Sequence, residues 1–120
     1  MAATLSRTVL AAVAFAFAGA VSAPPTLAGQ DDAQIKKGEQ VYKAQKCSTC
    51  HSIAGKGSKK GPLDGVGTKL TADEIREWIV NPTEMTKKTE SKTKPPMPNK
   101  YAKLPAGDID ALVAYLASLK

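Results

Sequence analysis

After Phe17 the chain contains no Phe, and its remaining large apolar side chains are too few to build a generous core. From residue 29 onward they are a short set of Ile, Leu and Val with the single Trp78, supplemented by Met85, Met97 and three Tyr. A domain of roughly 90 residues buries only a modest part of its surface and is marginal on that inventory alone. It needs a supplement: a disulfide, a metal or a cofactor. Two cysteines are too few for a disulfide framework. The full 120 residues suit one domain, and a hydrophobic fraction of 42% excludes a wholly disordered chain.

The count starts at residue 29 because the first segment reads as a leader. A short start ending at Arg7 precedes a charge-free run from Thr8 to Val21, followed by the small residues and prolines of Ser22 to Ala28. This charged, apolar, small-residue order is that of a secretory signal peptide. The apolar run meets proline before reaching the ~20 residues that a spanning helix needs. We expect residues 1–28 to be the signal peptide, with cleavage after Ala28, and residues 29–120 to be a single exported, periplasmic domain without stable membrane insertion.

Three segments of that domain have helical periodicity. Asp31 to Lys46 places Ile35, Val41 and Tyr42 on one stripe, with Asp31 and Asp32 at its start. Gly38 lies on the same stripe. A mid-helix Gly costs about 1 kcal/mol against Ala, so its use here suggests close approach of another helix. Thr71 to Asn81 opens on the capping-box pattern Thr71-Ala72-Asp73-Glu74, carries Ile75, Trp78 and Ile79 on one face, and stops at Pro82. Pro105 to Leu119 carries Ile109, Leu112, Val113 and Leu116. No stretch alternates as a strand. Residues 56–62 read as a Gly/Lys loop and residues 83–103 as a long loop, a length that in so small a domain points to function or disorder.

Cys47-Ser48-Thr49-Cys50-His51 is C-x-x-C-H, the attachment motif for haem c. Two thiols three positions apart can each add to one vinyl group of the same haem, and the adjacent imidazole then ligates the iron. Competing readings fit less well. A thioredoxin-like redox pair expects a βαβ context. A zinc site lacks ligands, since the chain has two Cys and one His. A disulfide across so short a loop contributes little chain-entropy stabilisation.

On these residues the chain resembles the class I monohaem cytochromes c, over essentially all of residues 29–120. Gly38 and Tyr42 match the first-helix Gly and aromatic of that family, and Gly61-Pro62-Leu63-Asp64-Gly65 loosely matches the turn after the haem site, one residue short of many members. Asn81-Pro82, Pro95-Pro96-Met97-Pro98 and Leu112-Val113-Ala114-Tyr115-Leu116 match its helix end, distal loop and last helix. The resemblance implies an all-α cytochrome c fold, with three main helices around one covalently bound haem and a long Met-bearing loop. It implies that the first and last helices cross at Gly38/Tyr42 against Leu112/Tyr115. It also implies that the Pro62 carbonyl accepts a hydrogen bond from His51, fixing the ring.

With no second His, the sixth iron ligand comes from Met97, Met85, a Lys, or nothing. A lone Met is ordinarily core filler. Met97, however, has no apolar periodic neighbours, and prolines on both sides pre-set its backbone, so we assign the ligand to Met97 and not to Met85. A His51/Met97 pair favours ferrous iron and closes both axial positions, as an electron carrier requires. Trp78 is expected to pack on the haem edge, with its indole N–H either enclosed there or donating to a haem propionate.

The formal net charge is +6, and the lysines are clustered. Residues 36–60 hold seven Lys against Glu39, and residues 83–103 hold six against Glu84 and Glu90. In the family fold these segments border the exposed haem edge, so Lys59, Lys94 and Lys100 are expected to steer that edge toward acidic redox proteins. Nucleic-acid binding does not suit an exported chain without interleaved exposed aromatics. We therefore expect a monomeric electron carrier, not an enzyme. The alternatives are a fixed cytochrome subunit of a respiratory or dehydrogenase complex, and a haem peroxidase or gas-binding protein, the last lacking a second His for distal chemistry.

Overall fold

A computed structural model describes residues 27–120, with side chains from residue 31. The predicted leader, residues 1–28, therefore lies essentially outside the described residues. Helix α1 (Leu27–Ala44) is followed by a 3-10 turn (Cys47–Thr49) and a two-stranded antiparallel hairpin, β1 (Ser52–Ile53) and β2 (Lys56–Gly57). Four helices follow: α2 (Val66–Lys69), α3 (Ala72–Val80), α4 (Pro82–Lys88) and α5 (Ala106–Ala117), with a 3-10 turn (Asn99–Lys103) before the last. The architecture is all-α in its core, as the periodicities predict. The hairpin, two residues per strand, is too short to produce an alternating pattern in the sequence.

Helix α1 begins four positions before Asp31, so Asp31 and Asp32 are not in its first turn, where the helix dipole would favour them. It ends before Lys46 because Lys46 adopts the left-handed conformation (φ 55°), turning the chain into the cysteine segment. Helix α3 has the predicted capping box. The Thr71 hydroxyl accepts from the Glu74 N–H (3.2 Å), and the Glu74 carboxylate accepts from the Thr71 N–H (2.8 Å), which lowers the Glu74 pKa below its usual value.

The core is one cluster. Val41 and Tyr42 of α1, Ile75 and Ile79 of α3, and Ile109, Leu112, Val113 and Leu116 of α5 bury one another. Trp78 is only half-buried and stands outside it, whereas its helical neighbours Ile75 and Ile79 are 2% exposed. The α1–α5 crossing forms where the resemblance implies. A Cβ on Gly38 would stand 2.0 Å from the Ala111 carbonyl oxygen and 2.5 Å from the Tyr115 Cβ. The Tyr42 and Tyr115 rings meet edge to face beside it, 5.9 Å between centroids. Lys37–Asp108 and Arg76–Asp110 ion pairs tie the start of α5 to α1 and α3, and being largely exposed add little to stability.

About half of the long loop expected over 83–103 is structured. Pro82 stops α3 and also opens α4: Asn81 turns the chain, and at the first helical position proline's missing N–H costs nothing. Glu84 in its first turn and Lys87 and Lys88 in its last complement the dipole. Pro82 and Met85 anchor α4 in the interior, leaving residues 89–98 as the irregular stretch.

Candidate functional site

The C-x-x-C-H segment is closed by its own backbone. The Cys50 and His51 N–H groups both donate to the Cys47 carbonyl, at 3.1 and 2.9 Å. This turn brings both thiols and the imidazole to one short ridge, with Cys47 half-buried, Cys50 exposed and both sulfurs free. Burial pushes the Cys47 thiol pKa up, partly offset by a backbone hydrogen bond and by Lys100.

His51 is held by the segment that folds back beside it. Ser52, buried, donates its N–H to the Gly61 carbonyl (3.2 Å) and accepts from the Leu63 N–H (2.8 Å), forming a parallel bridge opposite Pro62. The Gly61 carbonyl lies 2.9 Å from His51 Nδ1. A carbonyl can only accept, so Nδ1 carries the proton and Nε2 presents its lone pair outward. The partner implied by the resemblance was Pro62. In this register the Pro62 carbonyl belongs to the residue facing Ser52, and the Gly61 carbonyl points at the ring. Glycine is required there, because a Cβ at Gly61 would stand 2.9 Å from the same Nδ1. Gly57, at φ +110°, allows the hairpin to pass within 2.2 Å of the His51 carbonyl oxygen, measured from an added Cβ.

The two methionines occupy different environments. Met85 is 6% exposed, anchored inside α4. Met97 is half-buried and packs against the edge of the core cluster, in company with Tyr101 and Leu104. Tyr42 is 7% exposed, and its hydroxyl has no hydrogen-bond partner. Its pKa is pushed up to about 12, chiefly by burial and next by the nearby Cys47. Tyr101 is raised in the same way, by burial and then by Cys47 and Cys50. Tyr42, Tyr101 and the cysteine sulfurs thus share one neighbourhood. Tyr101 was absent from the sequence-based site, since a single aromatic in a Lys-rich stretch carries no periodic signal.

Among the described residues no cluster of three or more His, Cys, Asp or Glu side chains could hold a bare metal ion. What the ridge offers instead is two thiols at tethering spacing, one imidazole with Nε2 free, a nearby thioether-bearing loop, aromatic walls and an orphaned buried hydroxyl. Those donors fit a flat, apolar, iron-bearing macrocycle. Trp78, half-buried on α3, makes no side-chain hydrogen bond among the described residues.

The family model for cytochrome c matches residues 35–120. Cytochrome c-555 of Methylococcus capsulatus (strain Bath) is 36% identical over 78 residues, 64% of this chain and 60% of that protein. The chain therefore spans less than two thirds of this relative's length. No solved structure matches it significantly. No helix among the described residues is long and apolar enough to cross a membrane. With the family match covering every residue of the core cluster and the C-x-x-C-H ridge, the chain belongs to the cytochrome c family.

Proposed function

We propose that the protein is a periplasmic carrier that shuttles single electrons between redox proteins, through one haem c tethered by Cys47 and Cys50 and ligated by His51 and Met97. The observation that carries this reading is the His51–Gly61 hydrogen bond, which leaves Nε2 as the free, basic nitrogen of an oriented ring. When bound, the haem supplies the one-electron iron couple. The chain's own residues hold and enclose it. His51 and Met97 would ligate it from two separate segments of the chain, Tyr42 and Tyr101 would exclude water near Cys47, and half-buried Trp78 would add a wall. Ligation of the iron by both His51 and Met97 would suit a carrier and not an enzyme that must admit substrate to iron.

The assignment of Met97 is tested by exchanging the two methionines separately. Met97→Ala is expected to abolish the weak far-red thioether–iron(III) absorption and lower the reduction potential. Met85→Ala is expected to leave both unchanged while destabilising the fold by about 2–5 kcal/mol, because it empties a buried site. Exchange of these two outcomes would reverse the assignment.

The partners are acidic redox proteins. Of the clustered lysines, Lys37, Lys43 and Lys87 are occupied by ion pairs with Asp108, Glu39 and Glu84. Lys59, Lys94 and Lys100 are exposed and form no ion pair among the described residues, and Lys100 lies 5.1 Å above the Tyr101 ring. Stopped-flow reduction of an acidic partner should slow as ionic strength rises from 0.01 to 0.15 M, where the Debye length falls from ~30 to ~8 Å. Charge reversal at Lys94 or Lys100 should slow association more than dissociation. A salt-independent rate would reduce these lysines to a solvated surface.

A further inference from the structure

Helix α4 reaches the segment that carries Met97. The Thr83 hydroxyl donates to the Asn99 side-chain carbonyl at 3.0 Å. Thr83 follows the fully buried Pro82 and precedes the buried Met85, so its backbone is fixed by core packing on both sides. Asn99 opens the 3-10 turn two residues after Met97. Between them the chain runs through Thr, Lys and Pro residues of which most are exposed. A groove of about 390 Å³ separates α4 from the Met97 segment, lined by Thr83 and Thr86 on one wall and by Pro96, Met97 and Pro98 on the other. The Thr83–Asn99 hydrogen bond, made between two exposed side chains, is the polar link across it, and Met97 itself packs against the core cluster.

From this arrangement we infer that Thr83 and Asn99 form a latch that positions Met97, holding its thioether against the core side of the groove and keeping the iron closed to external ligands. The inference rests on Met97 as iron ligand. With the latch made, the entropy of the intervening segment is already restricted and the Met97 rotamer faces inward at little further cost. With the latch broken, Tyr101 and Leu104 still dock the chain after Asn99, but the stretch before it opens more often. A hydrogen bond of this kind shifts such an equilibrium by roughly two- to tenfold. An external ligand that binds only the open form gains apparent affinity by the same factor.

The test uses the ferric holoprotein with imidazole as external ligand. Thr83→Val is expected to tighten imidazole binding roughly two- to tenfold and to advance loss of the far-red thioether absorption in guanidinium, while helix content by circular dichroism melts at the unchanged midpoint. Thr83→Ser should restore the original affinity, and Asn99→Ala should reproduce the loosening from the other side of the link. In a Met97→Ala background Thr83→Val should have no effect on imidazole binding, since the group it positions is gone. Unchanged imidazole affinity in both Thr83→Val and Asn99→Ala, or an equal effect of Thr83→Val with and without Met97, would overturn the latch. Persistence of the far-red absorption in Met97→Ala would instead overturn the ligand assignment, a separate and visible failure.

Discussion

The Cys47→Ser/Cys50→Ser chain is expected to be largely unfolded. The apolar cluster consists of Val41, Tyr42, Ile75, Ile79, Ile109, Leu112, Val113 and Leu116, with no Phe, and Trp78 stands outside it. A single domain of this size rarely gains more than ~3–5 kcal/mol from such a core. One member, Tyr42, also carries a buried hydroxyl without a partner, a polar group whose desolvation is uncompensated. A tethered haem would add apolar area against Tyr42, Tyr101 and Trp78, and ligation by His51 and Met97 would cross-link the cysteine ridge to the distal segment. Removal of both tethers takes away that surface and both cross-links together. Far-UV circular dichroism with native helix content and a cooperative melt in the haem-free variant would show that the polypeptide core suffices.

Gly38→Ala is expected to lower stability by about 2 kcal/mol or more, with a fall in Tm of about 10 °C for a domain of this size. The added methyl would meet the Ala111 carbonyl oxygen at 2.0 Å and the Tyr115 Cβ at 2.5 Å, and the first of these is backbone that cannot rotate away. Helices α1 and α5 must separate along the most extensive contact in the molecule. That loss exceeds the ~1 kcal/mol that Ala gains over Gly in a helix interior. Gly107→Ala in α5 is the natural comparison. There the nearest atom is the flexible Lys37 Nζ at 3.4 Å, so the same substitution should be neutral or slightly stabilising. Thermal melts of the two holoproteins check the contrast, and equal Tm values would remove the close crossing as the reason for Gly38.

The structure bears out much of what could be read locally. The Thr71–Glu74 capping box is present, and α3 and α5 lie within two residues of their expected bounds, because caps and periodic apolar faces act through neighbours in the chain. Helix α4 was also locally legible. Its first-position Pro82, acidic start and basic end are start and stop signals, masked because the same proline also terminates α3. Trp78 shows the limit of periodicity. Spacing put it with Ile75 and Ile79, but which part of a helical face is covered depends on what lies opposite.

The amino-acid sequence alone determined the main helices and, through its resemblance to the cytochromes c, an all-α cytochrome c fold, because C-x-x-C-H, the helix periodicities and the Gly38/Tyr42 pair are short-range patterns. Only the tertiary structure decided which carbonyl holds His51, which methionine is core, and what ties the Met97 segment down. Gly61 is ten positions from His51 and Asn99 sixteen from Thr83. Partners at such distances are chosen by the register of a bridge and the packing of a helix, and neither the type nor the spacing of the residues encodes them.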